Sequence, residues 1–304
     1  MHGPTETVID RCPGLHLEPS SKIFPAHSHT DDLPILVVET PLCQAHIALQ
    51  GAQLLEFSDA SGQSLLWLSP ATKFVKGKAL RGGIPVCLPW FSKLADQPEK
   101  PQHGFLRDED WQLSDASTEP DQTVTLTWNH QNYRNQPHPM FDWRFSASLR
   151  MRLGTSLELE LEVINHDQTP MPLTWALHSY HPVDRLSQTS VSGLENCEYL
   201  DNTQALARKR QEGTISFGEE FDRIYLNVPK KQVITGKPGL RVCAENCHSA
   251  IVWNPGKTRA SGMPDLGAEN FDQFICLERG NAADNRLLLA PGEIHRASVT
   301  ITAA

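Results

Sequence analysis

Two arginines of the sequence lie in unusual surroundings for a cation. Arg81 is in LRGGIPVCLPWF and Arg107 is in PQHGFLRDEDW, among glycine, proline and aromatic residues. The planar guanidinium group can hold phosphate oxygens through two parallel hydrogen bonds. Trp90 and Phe91 supply flat apolar area of the kind against which sugar rings pack. The alternative is that both arginines pair with the acidic residues 108–110, as ordinary surface charges do.

One histidine lies on a segment with the period of a strand. In PLTWALHS the apolar residues share one face, and His178 lies on the opposite face beside Thr174 and Ala176. Because these neighbours are small, a ligand has room next to the imidazole, which can transfer protons near neutral pH. For a lone histidine, a polar contact across the strands is the alternative.

A carboxylate ends a second segment of this kind, FDQFICLE. Phe274, Cys276 and Glu278 share one face of the predicted strand. A carboxyl group among such neighbours is partly desolvated, which raises its pKa and suits it to act as a general base. Taken alone, a glutamate that reaches solvent at the strand end would look the same.

Short strands account for most of the remaining sequence. Residues 157–163 (LELELEV) alternate strictly between apolar and acidic residues, as in a half-buried strand, and residues 34–39, 123–128 and 144–150 are strand-like too. Helical periodicity is almost absent, with at most a short helix over residues 203–211. This pattern predicts an all-β fold, an antiparallel β-sandwich or barrel. We expect a weakly structured lead-in over residues 1–30 and a single domain over residues 31–304.

Composition excludes several classes of protein. The 36 acidic and 27 basic side chains give a net charge of −9, which argues against a nucleic-acid partner. The sequence has no apolar run of membrane-spanning length, no apparent signal segment and no glycine-rich phosphate loop, so we expect a cytoplasmic protein without membrane or nucleotide partners. Seven scattered cysteines indicate free thiols in a reducing compartment. The stretch CAENCH lacks a second Cys/His pair, so two free cysteines in a loop are expected there rather than a metal.

Several motifs of the sequence, taken together and in their order, resemble those of a known family, although no single motif is specific enough to indicate it. The six motifs are, in this order, RGGIPVCLPWF, PQHGFLRDEDW, WALHSY, FDRIYLN, VWNP and FICLE. Through them the chain closely resembles the glucose-6-phosphate 1-epimerases, or hexose-phosphate mutarotases, of the aldose 1-epimerase superfamily. The resemblance extends from about Leu33 to the C-terminus. It implies a large antiparallel β-sandwich of the galactose mutarotase-like type. It also implies interconversion of the α and β anomers of a hexose 6-phosphate, with no metal and no organic cofactor.

The resemblance also assigns residues. Glu278, ionised, would take the proton of the anomeric hydroxyl, and His178, protonated, would give a proton to the ring oxygen as the hemiacetal opens. Arg81 and Arg107 would hold the 6-phosphate. The substrate-binding positions that the resemblance implies are Arg81, Gln102, His103, Arg107 and Asp222.

Three features depart from the family pattern. These are Ser92, where many relatives have glycine, His181, where relatives usually have an aromatic residue, and the segment RGNAADNRLLLAPGE after Glu278. We expect them at the rim of the site, where they would alter substrate preference.

Two alternatives remain open: a non-catalytic sugar-phosphate-binding or regulatory protein of the same fold, and a mutarotase for neutral aldoses. The preferred hexose and the oligomeric state also remain open.

Overall fold

Strands dominate the computed structural model, which describes residues 4–304. Within this range there are 25 strands, most of them between three and ten residues long. Numbered in chain order, they are β1 Leu15–Pro19, β2 Ser28–His29, β3 Pro34–Glu39, β4 Cys43–Ala48, β5 Gln53–Asp59, β6 Lys73–Phe74, β7 Val86–Cys87, β8 Gln112–Thr118, β9 Val124–His130, β10 Phe145–Leu153, β11 Leu157–Asn165, β12 Met171–Leu173, β13 Trp175–Leu177, β14 Tyr180–Pro182, β15 Ser190–Ser192, β16 Glu198–Asp201, β17 Ala207–Arg210, β18 Ile215–Ser216, β19 Phe221–Leu226, β20 Lys231–Thr235, β21 Leu240–Glu245, β22 Ser249–Asn254, β23 Phe274–Asn281, β24 Leu287–Leu289 and β25 Ile294–Ala303.

Helices are short and few in this part of the chain. The α-helices are α1 Pro4–Ile9, α2 Ser20–Ile23 and α3 Gly256–Ala260, and the 3-10 turns are Leu106–Asp108, Leu186–Gln188, Asn202–Gln204 and Ala283–Asn285. Residues 203–211 form the end of one such turn followed by β17, so the short helix expected there is wrong beyond its first residues. Between residues 4 and 304, no helix has the length and apolar character needed to cross a membrane.

Two large antiparallel sheets organise the molecule. A nine-stranded sheet has the order β18-β15-β20-β21-β25-β11-β10-β9-β8, and an eight-stranded sheet has the order β17-β16-β19-β22-β23-β13-β7, with β14 also paired to β23. A four-stranded sheet, β1-β3-β4-β5, adds a further layer of antiparallel strands. The predicted all-β antiparallel fold is confirmed.

The alternation seen in the sequence separates core from site. Trp175 and Leu177 of β13, and Ile275 and Leu277 of β23, belong to one large apolar cluster with residues of the nine-stranded sheet. Because successive side chains of a strand point to opposite faces, Cys276 and its neighbours lie on the other face of the eight-stranded sheet. The two face assignments made from the sequence are therefore confirmed, and that second face carries the candidate site.

The lead-in expected over residues 1–30 is wrong from Pro4 onward; residues 1–3 lie outside the described range. Strand β1 pairs with β3 over five positions, from Leu15↔Val38 to Pro19↔Pro34. Ile9 is 7% exposed and belongs to the main apolar cluster. The Pro-, Ser- and His-rich composition hid a segment that is ordered by its contacts with the sheet rather than by its own periodicity.

Glycine is required at two turns that carry site residues. A Cβ at Gly83, directly after the Arg81 turn, would lie 2.1 Å from the carbonyl oxygen of Leu54. A Cβ at Gly104, between His103 and Phe105, would lie 1.8 Å from another backbone oxygen, and both glycines have positive φ. Neither close approach leaves space for a side chain, which explains why these loops are glycine-rich.

Candidate active site

All seven residues singled out from the sequence line one pocket on the outer face of the eight-stranded sheet. They enter it from five separate parts of the chain. The pocket is lined by Arg81, Phe91, Ser92, Gln102, His103, Arg107, His178, Asn202, Asp222, Ile251, Trp253, Arg259, Met263 and Glu278.

His178 and Glu278 form the buried centre of this pocket. The Nδ1 atom of His178 lies 3.4 Å from Oε1 of Glu278, and the two residues are 7% and 1% exposed. Glu278 is in β23, whereas His178 lies in the gap between β13 and β14, which both pair with β23. The gap is fixed by hydrogen bonds, including one from the amide of His178 to the carbonyl of Pro85. The imidazole and the carboxyl group are therefore held close together by sheet pairing.

Burial moves the pKa values of this pair in opposite directions. The pKa of His178 is lowered to about 3 by burial, and then by the charges of Arg107 and Arg81. The pKa of Glu278 is raised well above its usual value by burial and by Asp222 nearby, while Arg107 opposes the rise. Both shifts favour neutral groups, a protonated carboxyl and an unprotonated imidazole. The expected ionised glutamate and protonated histidine are therefore not the favoured forms in the free site.

The His178 ring is held between two aromatic neighbours. The Tyr180 ring stacks on it at 4.9 Å with an angle of 7°, and the His103 ring meets it edge-on at 5.5 Å. Tyr180 in turn accepts a hydrogen bond of 3.1 Å from Nη1 of Arg81 through its hydroxyl group. Tyr180 thus contacts both a candidate anion-binding group and the central histidine, which sequence reasoning did not foresee.

Arg107 has a free head group. It donates one hydrogen bond, from Nη2 to the carbonyl of Gln102 at 2.8 Å, and its buried Nε has no hydrogen-bond partner among residues 4–304. It forms no ion pair with any described residue, and the acidic residues 108–110 that could have paired with it do not; Asp110, for example, pairs with Lys76. The surface-pair alternative is therefore wrong for Arg107, which presents to the pocket a guanidinium without an ion-pair partner among the described residues.

Arg81 is fixed by partners outside its own turn. Its Nε and Nη2 atoms both contact Oδ2 of Asp265, at 3.0 and 2.8 Å, and its Nη1 donates to the hydroxyl of Tyr180. Three of the five N–H groups of a guanidinium are thus used, which leaves two for a ligand. Neither arginine pairs with residues 108–110, so the alternative drawn from the sequence is wrong for Arg81 as well.

His103 and Gln102 complete one wall of the pocket. The Nδ1 atom of His103 accepts a hydrogen bond of 3.2 Å from the amide of Ser92, so the proton of the neutral ring is on Nε2. Nε2 lies 2.8 Å from Nε2 of Gln102, and because the two atoms cannot both donate, the Gln102 amide accepts this hydrogen bond through its oxygen in the flipped orientation. Burial lowers the pKa of His103 well below its usual value, which keeps the ring neutral. These two residues therefore supply neutral polar groups beside the arginines.

Sequence reasoning missed part of the lining. Asn202 donates a hydrogen bond of 2.7 Å to Oδ1 of Asp222, and Trp253 supplies an aromatic wall together with Phe91. Trp90, expected to offer a sugar-packing face, is instead 4% exposed and packed in the main core. The alternation of VWNP along β22 could have placed Trp253 on the site face, because its neighbours Val252 and Asn254 point the other way. The remaining missed residues of the lining are Ile251, Arg259 and Met263.

The departures from the family pattern do not all lie at the site rim. Ser92 does line the pocket. His181 is fully buried away from it, with Nδ1 against the carbonyl of Leu65 and Nε2 against Oγ of Ser179. Arg279, which begins the segment after Glu278, is 1% exposed and donates to backbone carbonyls such as that of Cys247. His181 and Arg279 lie in the interior and not at the rim of the site. The expectation that they alter substrate preference from the rim is therefore wrong.

One group of side chains in the described residues has the donor atoms for a metal ion. Ligand atoms of His178, Cys276 and Glu278 all lie within 4.8 Å of one another. In CAENCH, by contrast, Cys243 lies in β21 and Cys247 in the turn that follows, and both are free thiols. The loop expected for both cysteines is therefore correct only for the second.

Comparison with known proteins decides the family. The sequence model of the family "Aldose 1-epimerase" matches residues 34–302. The chain belongs to the aldose 1-epimerase family. A relative in Escherichia coli named "Putative glucose-6-phosphate 1-epimerase" is 32% identical over 274 residues, which are 88% of this chain and 90% of the relative. A plant relative of the same name, in Cenchrus ciliaris, is 34% identical over 86% of this chain and 82% of its own length.

A solved structure gives the same result for the aldose 1-epimerase fold. The crystal structure of a "putative mutarotase" from Salmonella typhimurium superposes with a TM-score of 0.81 at 32% identity, over 90% of this chain and 91% of that one. Membership of the aldose 1-epimerase family makes the protein an isomerase of the epimerase type, and its substrate a small sugar. The expected galactose mutarotase-like sandwich is confirmed.

Proposed function

We propose that the protein is a glucose-6-phosphate 1-epimerase that interconverts the α and β anomers of hexose 6-phosphates. The observation that carries the proposal is the presence of two arginines with free N–H groups in the same pocket as the His178–Glu278 pair. A neutral aldose carries no charge for these arginines, whereas a phosphate dianion can accept hydrogen bonds from both and can neutralise Arg107, which has no ion-pair partner among the described residues. The names of the relatives support the same substrate.

The chemistry needs one proton donor and one proton acceptor. Opening the hemiacetal removes the proton from the anomeric oxygen O1 and delivers a proton to the ring oxygen O5 as the C1–O5 bond breaks. After rotation about C1–C2, the reverse transfers close the ring on the other face. His178 and Glu278 together hold the single proton that this exchange requires. Each acid or base group of this kind typically contributes about 10²- to 10⁴-fold.

Phosphate binding would redistribute that proton. Arg81 and Arg107 both lower the pKa of His178, whereas Arg107 is the arginine that lowers that of Glu278. A bound phosphate offsets both cations, so it raises the pKa of His178 by more than that of Glu278. Substrate binding then favours movement of the proton towards His178, which is the direction that the roles implied by the family resemblance require. In this proposal the anchor of the substrate also sets the catalytic protonation state.

The other pocket residues have positioning roles in this proposal. Asp222, Gln102 and His103 bind sugar hydroxyl groups, and Phe91 and Trp253 pack against the ring. Such contacts align C1 and O5 with the acid and base, which converts binding energy into rate. We place the enzyme in a reducing cytoplasm, because its seven cysteines are all free thiols.

The test is a direct assay of anomer exchange. Purified protein is added to freshly dissolved α-glucose 6-phosphate, and the β anomer is followed with a β-specific dehydrogenase, with free glucose assayed in parallel. Acceleration for the phosphate over free glucose supports the proposal. A preference for the free sugar would instead identify a neutral aldose mutarotase. Tight binding of glucose 6-phosphate without acceleration would identify a non-catalytic binding protein.

A further inference from the structure

Three unlike donor atoms meet at the buried His178–Glu278 pair, where Cys276 lies close by although it does not line the pocket itself. A ring nitrogen of His178, Sγ of Cys276 and a carboxylate oxygen of Glu278 lie within 4.8 Å of one another, and the three residues are 7%, 0% and 1% exposed. Nδ1 of His178 and Oε2 of Glu278 have no hydrogen-bond partner in residues 4–304. Buried polar atoms rarely lack a hydrogen-bond partner, because an unpaired buried donor or acceptor destabilises the folded state. We infer that His178, Cys276 and Glu278 form an inhibitory zinc-binding site.

The spacing fits a tetrahedral ion. Zinc bonds of about 2.0–2.3 Å at tetrahedral angles separate the ligand atoms by about 3.3–3.8 Å. The pair formed by Nδ1 of His178 and Oε1 of Glu278, at 3.4 Å, is already within that range. The remaining separations, at most 4.8 Å, need to close by no more than about 1 Å, which side-chain rotation can provide. Three protein ligands leave the fourth position to water.

The ligands are carried by paired strands rather than by mobile loops. Cys276 and Glu278 are two positions apart in β23, so they point to the same face of the sheet. His178 is brought opposite to them because Tyr180 pairs with Cys276, and Oγ of Ser179 donates to the carbonyl of Leu277 at 2.8 Å. The unfolded chain does not hold these three side chains together. Folding has already brought them close, so zinc binding does not have to order the chain.

The donor set selects among metals. Magnesium and calcium take oxygen ligands, whereas one imidazole, one thiolate and one carboxylate are ligands that zinc accepts together. As the zinc bonds form, the thiol proton of Cys276 and the carboxyl proton of Glu278 both leave to solvent. The thiolate and the Glu278 carboxylate then balance the two charges of the ion. Arg81 and Arg107 repel a cation in the same pocket, so the affinity is lower than that of a structural zinc site.

Zinc at this position removes both proton-transfer groups. A ligated Nδ1 can neither accept nor donate a proton, and the coordinated carboxylate of Glu278 is a much weaker base. This inhibitory effect rests on the proposed function. Zinc binding itself does not, so the two inferences can fail separately. The ion is an inhibitor in this proposal and has no part in the epimerase reaction.

The experiment measures binding first and activity second. The full-length protein is dialysed against zinc chloride in a buffer that does not chelate zinc, and bound zinc is counted. Cobalt(II) is then used as a spectroscopic substitute, because a thiolate ligand gives it a charge-transfer band in the near ultraviolet. The variant is Cys276→Ala. The matched control is Cys243→Ala, which removes a thiol from CAENCH on the other large sheet.

We expect one zinc ion per chain and a thiolate–cobalt band in the wild type. Loss of a direct ligand in Cys276→Ala should weaken zinc binding by at least about 100-fold, the upper range for an outer-shell partner. The epimerase rate of that variant should no longer fall when zinc is added, whereas Cys243→Ala should behave as the wild type.

Three results would overturn the proposal. The first is the absence of a cobalt–thiolate band in the wild type, which needs no variant. The second is undiminished zinc binding by a folded Cys276→Ala protein, and the third is weakened binding by Cys243→Ala instead. An inactive wild type that still binds one zinc through Cys276 would disprove the proposed function and leave the zinc site standing.

Discussion

Arg81 and Asp265 are 184 positions apart, and Oδ2 of Asp265 contacts both Nε and Nη2 of Arg81, at 3.0 and 2.8 Å. Asp265 lies in the loop after α3, which also brings Met263 to the pocket. The contact fixes the plane of the guanidinium and leaves its remaining N–H groups for a ligand. Asp265 therefore holds the guanidinium of Arg81 in one orientation, as the proposed phosphate contact requires.

Removing the Asp265 carboxylate should weaken substrate binding more than it slows the catalytic step. In Asp265→Ala we expect KM for glucose 6-phosphate to rise about fivefold, equivalent to one ordinary hydrogen bond of about 1 kcal/mol, with kcat changed less than twofold. Steady-state kinetics of anomer exchange measure the two constants separately. Glu269→Ala, which removes an exposed carboxylate from the same loop, is the control. An unchanged KM in Asp265→Ala would show that Arg81 does not hold the phosphate.

The free head group of Arg107 predicts a loss that depends on the phosphate. In Arg107→Ala, kcat/KM for glucose 6-phosphate should fall by about 30-fold, since a charge-assisted hydrogen bond is worth about 1.5–3 kcal/mol. The rate on free glucose should stay within about twofold, because that sugar lacks the group that Arg107 binds. Arg150→Ala, at an exposed position on β10, controls for the loss of a positive charge. An equal fall for both sugars would contradict the assignment of Arg107 to the phosphate.

The carboxyl group of Glu278 should destabilise the folded protein at neutral pH and should be required for a normal kcat. Glu278→Gln should lose at least about 100-fold in kcat, the lower range for one general acid–base group. Because burial raises the pKa of Glu278 in the folded state, the carboxyl destabilises the fold as pH rises above its unfolded value. The variant should therefore unfold at a higher temperature than the wild type at pH 7, and this difference should vanish below about pH 4.5.

Thermal denaturation at pH 7 and pH 4 checks the stability half of this prediction, and the coupled assay checks the other. Glu269→Gln, at an exposed position, is the control for removing a carboxylate. A Glu278→Gln protein less stable than the wild type at pH 7 would contradict the destabilising role of this carboxyl group.

The sequence predicted the central pair because the strands that carry it are regular. The period of two placed Cys276 and Glu278 on one face and Ile275 and Leu277 on the other, as the structure has them. Register between distant strands has no such local signal. The proximity of His178 to Glu278, a hundred positions later, came from the family resemblance rather than from the spacing of residues.

Partners across long sequence separations could not be predicted. Asp265 and Tyr180 fix Arg81, yet neither is near it in the sequence, and the local carboxylates at 108–110 looked like better candidates. The ordered segment before β3 was missed for the same reason. Its strand β1 is short and carries His16 and Glu18, so its pairing with β3 rather than its own pattern makes it a strand.

Ser92 occupies a backbone conformation that favours glycine. Its φ is +70°, and its side-chain oxygen forms no hydrogen bond with a described residue, whereas its amide bonds to His103. Ser92→Gly should therefore stabilise the protein by up to about 1 kcal/mol, because the left-handed region costs a non-glycine residue about that much. Denaturant unfolding measures the change in the free energy of unfolding. Ser187→Gly, at a residue without positive φ, is expected to give no gain; a loss of stability in Ser92→Gly would contradict the argument.

Buried neutral histidines should make the fold sensitive to acid. Burial lowers the pKa of His178 to about 3 and those of His181 and His295 to about 4, below the value of about 6.5 in an unfolded chain. Between pH 6.5 and pH 4 the unfolded chain thus binds protons that the folded protein excludes, so the free energy of unfolding falls as pH falls. Glu278 acts in the opposite sense above pH 4.5 and cancels about one proton of this difference.

After this cancellation, the unfolded chain should still exceed the folded protein by more than one bound proton. The free energy of unfolding should therefore change with pH by more than about 1.4 kcal/mol per pH unit. Denaturant titrations at pH 6.5, 5.5 and 4.5 measure it. In His181→Gln the slope should fall by about one proton, because His181 is fully buried and its titration disappears with the ring. His16→Gln, at an exposed position on β1, should leave the slope unchanged. A wild-type stability that is flat from pH 6.5 to 4.5 would show that these histidines become protonated without unfolding the protein.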